Sequence, residues 1–295
     1  MSNAIIDLFK NLFFTDVSMT TIAIFRICLG LANLIIISAY IWPNRNLFFG
    51  NDGIYPSDNF YTNKSLCSGK YSLLDIKFRN IFNPNLLLIL GILCSIFVTF
   101  GLYTNVSCLL LFTIYSTITF RNPFIIGGAD RINIQLLFWL IFMNSGKCMS
   151  VDNILSGGNF LHSFGNPIAL RVLQLLLLQI YFLSVKFKSR ESCWFDGSVI
   201  PRCSRLNGHS KKNIPDIILE NKNICKILSI GTLVFELSMI PGLIFLPYIF
   251  VPLGMIFHTG LATILNLPCF ALIMCAYLTI FIPPSLLDSL LATWI

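Results

Sequence analysis

Charge is what this chain has least of. Asp, Glu, Lys and Arg make up 11% of its 295 residues, against roughly 25% in an ordinary soluble domain. Hydrophobic residues make up 56%, with 27 Phe among them, more apolar surface than a soluble fold hides behind so few polar groups. That excludes a soluble fold. Disordered, collagenous and coiled-coil chains need charge, short repeats or heptads, and these are absent too. No CxxC, no HExxH and no Cys/His cluster with zinc spacing occurs, so no metal site is expected. No long block of one charge and no nucleic-acid-binding motif is legible. The net charge of +7 therefore reads as basic loops beside a membrane, not as nucleic-acid contact.

What is present is a series of apolar windows near the 20 residues a bilayer-spanning helix needs. They lie at about 18–43, 84–101, 105–120, 132–145, 168–185, 225–247 and 249–282. The last is too long for one straight crossing and contains Pro268, so it reads as two helices or a broken one. The expectation is an all-α, polytopic membrane helix bundle of about seven to eight transmembrane helices in a single domain. The connections at 102–104 and near 248 are so short that they force antiparallel hairpins. Residues 1–17 look like an amphipathic segment lying on the membrane, 18–282 like the transmembrane domain, and 283–295 like a short tail. The segment 186–226 holds nine of the 20 basic residues against four acidic ones, which by loop counting alone places it in the cytoplasm.

Ten Cys are present. Cys28, Cys94, Cys108, Cys269 and Cys275 lie in apolar windows and read as small buried hydrophobes. Cys67, Cys148, Cys193, Cys203 and Cys225 lie in or beside loops, where an oxidising compartment would let some pair.

The informative side chains are polar ones placed where lipid should be. Arg26 sits well inside the first window, in TIAIFRICLGL, at a cost of about 3 kcal/mol on insertion scales. It is expected to face the bundle interior with an anion or carbonyls around it. Glu236 in LVFELSMIPG has the same status, and His258 sits in MIFHTGLAT. A buried Arg26–Glu236 pair that fixes packing is one reading; a functional pathway is the other. In RNPFIIGGADR (121–131), Asp130 either caps a helix at Ile132, or lines a polar pocket with Arg121, Asn122 and Arg131. A third cluster ends one crossing with Tyr181, Lys186 and Lys188, followed by Trp194. These are either interface anchors or a lysine poised for chemistry, since a desolvated lysine readily becomes a base or nucleophile.

Taken in order, the pieces resemble the HTTM superfamily, the membrane domain shared with vitamin K-dependent gamma-carboxylases. They are Arg26, FFGNDGIYPS (48–57), GLYT (101–104), RNPFIIGGAD (121–130), IYFLSVKFK…WFDGS (180–198), FELSMIP (235–241) and FHTGLATIL…FALIMCAYLTIF (257–281). The IGGAD turn and the Cys-containing loop at 63–72 are most similar to the sporulation-delaying-protein B branch, which takes part in producing a secreted antimicrobial peptide in bacteria.

The resemblance implies a reduced quinone of the vitamin K or menaquinone kind as cofactor. It implies Lys188 or Lys186, with Lys188 favoured, as the base that deprotonates it, and His258 at a polar position facing the quinone. Arg26, Arg121, Asn122, Asp130, Trp194 and Glu236 would then be cofactor-pocket groups. The implied partners are membrane lipid, a secreted peptide substrate or its precursor, and a small soluble protein. The implied location is the bacterial cytoplasmic membrane, with the site toward the extracytoplasmic face, against the loop count. No domain like the large one with which the carboxylases bind their substrate is expected, which leaves a non-enzymatic scaffold or chaperone for peptide maturation or export as the alternative. In that role the basic segment 186–226 and the loop 44–83 would be docking surfaces, with Arg202, Arg205, Lys211 and Lys212 the charges whose reversal should hurt. The lack of a detectable internal repeat argues against a transporter.

Overall fold

In a computed structural model of the protein, residue 10 and residues 13–50, 52–55, 83–161, 163–205 and 215–292 are described. They contain fourteen helices and one pair of two-residue strands, so the protein is all-α. It divides into two compact units, Met1–Ala169 and Leu170–Ile295. Most of the segment 1–17, the loop 63–72, and Lys211 and Lys212 lie outside the described residues.

The first unit opens with β1 (Val17–Ser18) and α1 (Thr20–Ile35), which continues as a wider π-helical stretch over Ile36–Ile41. After α2 (Arg45–Phe49) come α3 (Pro84–Phe100), α4 (Thr104–Arg121) and α5 (Gly128–Ile141). A short 3-10 turn at Ser145–Lys147, α6 (Val151–Leu155) and β2 (Phe164–Gly165) lead to the start of α7 (Ile168–Lys188).

Local chemistry sets these bounds. Asn83 caps α3, its side chain accepting from Leu86 N at 2.7 Å, and Pro84 takes the first helical position, where its missing N–H costs nothing. Gly101 ends α3 with φ +68, the left-handed conformation that closes helices and suits glycine. The chain then turns through Tyr103 into α4, which packs on α3, the hairpin predicted for 102–104. Gly30 permits the close crossing of α1 on α3, since a Cβ there would sit 2.5 Å from Thr99 Oγ1. β1 and β2 pair antiparallel, Val17 opposite Gly165 and Ser18 opposite Phe164.

In the second unit α7 is followed by three short helices, α8 (Ser192–Asp196), α9 (Val199–Ser204) and α10 (Asp216–Glu220). Three longer ones come next: α11 (Lys222–Phe245), α12 (Pro247–Leu265) and α13 (Pro268–Leu278). A final helix, α14, spans Pro284–Ala292. Of the two readings of the window 249–282, the structure takes two helices: α12 ends at Asn266, with φ 51, and Pro268 opens α13. The hairpin predicted near 248 turns at Leu246.

Each predicted window holds a helix. Four, Thr20–Ile41, Ile168–Lys188, Lys222–Phe245 and Pro247–Leu265, are long and apolar enough to cross a membrane, which marks a membrane protein. Pro84–Phe100 and Pro268–Phe281 are apolar but shorter. α4 has 18 residues but mixes Thr, Ser, Asn and Arg into its apolar run, and α5 has only 14, below the roughly 20 that span a bilayer unaided.

Candidate functional site

Arg26 is wholly buried in α1. Among the described residues no carboxylate pairs with its guanidinium. Nη1 donates to the carbonyls of Ser145 and, at 3.2 Å, Cys148; Nη2 donates to Met149 O at 2.5 Å. Of the two surroundings expected for it, the structure supplies carbonyls. Arg26 therefore clamps the turn between α5 and α6. The same turn is tied to α4 through Asp152, which accepts from Tyr103 N (2.8 Å), Thr104 N (2.7 Å) and Thr104 Oγ1 (2.7 Å). One further polar contact lies deeper: Asn33 and Asn133, both fully buried, exchange side-chain amide bonds of 3.1 and 2.7 Å.

The RNPFIIGGADR cluster is mostly backbone carpentry. Buried Arg121 donates to Tyr55 O from both Nη atoms at 3.4 Å, and buried Asn122 donates to Phe48 O at 3.0 Å. Asp130 does cap a helix, but one that begins at Gly128 rather than Ile132. Its Oδ2 accepts from Gly127 N at 2.8 Å and its Oδ1 from the Tyr115 hydroxyl at 2.7 Å. Arg131 is exposed.

The second unit gathers the remaining candidates. On α7, Tyr181, Ser184 and Lys188 stand at i, i+3 and i+7, one helix face. Lys188 Nζ meets Glu236 Oε1 of α11 at 2.5 Å, and Ser184 Oγ donates to Glu236 Oε2 at 2.9 Å. The lysine side chain is 26% exposed and the glutamate 7%, so the pair sits at a boundary with its anion inside. Lys188 Nζ also lies 4.9 Å from the ring centroid of Trp194 on α8, within cation–π range. The Arg26–Glu236 pair read from the sequence is thus replaced: the lysine, not the arginine, neutralises Glu236. Lys186 is exposed, on another side of α7.

Two helical turns inward, a rise of about 10 Å, Tyr181 OH lies 3.0 Å from His258 Nε2 of α12. His258 is buried and surrounded by rings, with Phe257 at 5.4 Å and Phe270 at 5.6 Å between centroids. Its Nδ1 has no hydrogen-bond partner among the described residues. A buried orphan nitrogen costs free energy unless something occupies it. Trp194, Lys188, Glu236, Tyr181 and His258 are thus brought into one unit. Ser184 was missed by sequence reasoning, although its spacing from Tyr181 and Lys188 signals the shared face.

Two cavities of about 410 and 350 Å3 lie in the first unit, around Lys147 and Asn144. Neither is lined by Arg26, Arg121, Asn122 or Asp130. Among the described residues no three His, Cys, Asp or Glu side chains converge on a metal-sized point. Comparison with protein-family models, curated proteins and solved structures gave no match.

Proposed function

We propose that this is an HTTM-like integral membrane protein of seven to eight crossings that uses a reduced, quinone-like lipid to modify or mature a secreted peptide. The bacterial cytoplasmic membrane is its proposed location, with the site toward the extracytoplasmic face. The observation that carries the reading is the Lys188–Glu236–Ser184 network with the Tyr181–His258 pair behind it. Ionisable groups in apolar helices are expensive, and where they persist they mark pathways and sites.

The residues suit such a ligand. His258 Nδ1 supplies a hydrogen-bonding group inside a ring-lined, apolar setting, and Trp194 supplies a flat face beside the charge. When bound, a reduced quinone would supply an O–H acid and, with dioxygen as the oxidant, the strong base needed to take a proton from the peptide. The chain's own part is to place the groups: Lys188 Nζ meets one Glu236 oxygen and Ser184 Oγ donates to the other, which fixes the carboxylate beside the lysine. The lysine expected to act alone thus acts with its glutamate as a unit.

The test is mass spectrometry of quinones that co-purify in mild detergent, followed by addition of reduced menaquinone or phylloquinone and assay for epoxide. Bound quinone and turnover that vanish in Lys188→Ala, with the fold kept at a stability cost of no more than about 1–2 kcal/mol, are the expected result. Empty protein and no turnover sink the reading and favour the scaffold role. Charge reversal at Arg202 and Arg205, exposed on and just after α9, would then be the damaging change.

A further inference from the structure

The stretch joining α5 to α7 builds a second site unrelated to the Lys188 network. The β1–β2 pairing joins the residues just before Thr20 and Ile168, where two candidate spans begin. Beside that pairing lies the cavity of about 350 Å3, inside the range of about 300–1,000 Å3 typical of small-ligand sites. Its walls are apolar: Trp139, Phe142, Met143 and Ile168, with Met19 behind them. Trp139 and Phe142 belong to a ring cluster with Phe138, at centroid distances of 5.5 Å from Phe138 to Trp139 and 5.2 Å from Phe138 to Phe142. This cluster lies beside Ile168, where a candidate span starts, and aromatic rings at such a boundary suit headgroup depth.

The rim is polar and carries one sign of charge. Asn144, Lys147 and Asn166 line it. Lys147 is exposed and forms no ion pair among the described residues. Asp152, which shares the neighbouring cavity with Lys147, has both carboxylate oxygens occupied by Tyr103 and Thr104. Asn166 Oδ1 is taken by Ile168 N at 2.9 Å, so what it offers a ligand is its amide N–H groups. Donors and one cation above an apolar trough call for an amphiphile with an anionic head.

We infer that this cavity binds one anionic phospholipid, its phosphate on Lys147 with the Asn144 and Asn166 amides, and an acyl chain along Trp139, Phe142, Met143 and Ile168. The site is independent of the function proposed above.

Native mass spectrometry of the full chain in detergent tests it, by titration with phosphatidylglycerol and phosphatidylcholine of matched chains. Phosphatidylglycerol binds about fivefold more tightly, the contribution of one basic side chain near a headgroup. Lys147→Gln brings the ratio to about one, with phosphatidylglycerol losing more than phosphatidylcholine, and Lys147→Arg keeps the preference. Ile168→Trp, which fills the trough, weakens both lipids. A wild-type ratio near one, or a ratio that survives Lys147→Gln, overturns the assignment. So does an Ile168→Trp variant that binds both lipids as before. Displacement of phosphatidylglycerol by free glycerol phosphate at equal concentration would show a free-phosphate site, and displacement by an acidic amphipathic peptide a peptide site; either replaces the lipid.

Discussion

Arg26 in the first unit and Lys188 in the second are both cations set into apolar helices, yet they are satisfied in different ways. Arg26 spends its guanidinium on three backbone carbonyls, which neither titrate nor leave. Lys188 is met by a carboxylate and a ring, at a boundary where its side chain keeps 26% exposure. A cation on carbonyls can only hold a turn in place. A cation on a carboxylate is held by one side chain, at a boundary where part of it stays open to what lies outside. Sequence position already set Arg26 inside an apolar window and Lys188 at the end of one, and the partners give that difference its meaning.

The comparison breaks most visibly at Arg26. Arg26→Met strands the carbonyls of Ser145, Cys148 and Met149 in the interior and is expected to cost about 3–5 kcal/mol. The readout is the unfolding temperature in detergent, together with expression. Arg26→Lys recovers only part, since one ammonium does not reproduce the two-pronged geometry. A variant as stable as the wild type would show that the clamp is ornamental.

The next effect lies against the same clamp. Gly101 has φ +68, and a Cβ there would meet Ser150 Cβ and lie 3.0 Å from Arg26 Cζ. Gly101→Ala is expected to lose about 2 kcal/mol or more through the left-handed strain and the displaced guanidinium. A Gly101→Ala/Arg26→Met double variant should fall short of the sum, because both damage one contact.

At the Lys188 pair, stability and function should come apart. Lys188→Met leaves Glu236 buried and unpaired at a cost of about 1–2 kcal/mol, reduced from the fully buried case by the exposure of the lysine. Adding Glu236→Leu removes the orphan charge and should return the unfolding temperature to within about 1 kcal/mol of wild type. Quinone retention and turnover, by contrast, should stay lost in the double variant. Recovery of both would make the pair purely structural and erase the contrast with Arg26.

How much of this was legible in the sequence follows from distance along the chain. The helix positions were, because apolar run length, Pro84, Pro247, Pro268 and Gly101 act within a few residues. That Tyr181 and Lys188 share a face was legible from spacing alone. The partners were not. Arg26 reaches carbonyls 119 to 123 residues away and Lys188 a carboxylate 48 away, and composition carries no register between helices that far apart. Asp152 went unremarked because an acid in a polar loop looks solvated; that Tyr103 and Thr104 aim three donors at it is settled by the left-handed turn at Gly101.

The smallest effect is a pH dependence, and it belongs to the first unit. Partial burial pushes the Asp152 carboxyl upward. The N–H and hydroxyl of Thr104, the N–H of Tyr103 and the charge of Arg26 outweigh this and hold it below the usual carboxylate range. A carboxyl depressed on folding stabilises the fold fully above its unfolded value, near pH 4, and loses that contribution as pH falls toward the folded one. Unfolding temperature should therefore be flat through neutral pH and decline below about pH 4. In Asp152→Asn, which keeps an acceptor for some of the donors, the loss at neutral pH should be under about 1 kcal/mol, and the acid decline shallower. Because Arg26 contributes to the depression, Arg26→Met should also make that decline shallower, whereas Lys188→Met should leave it unchanged. An acid profile that responds equally to both would mean that the two cations are not energetically separate.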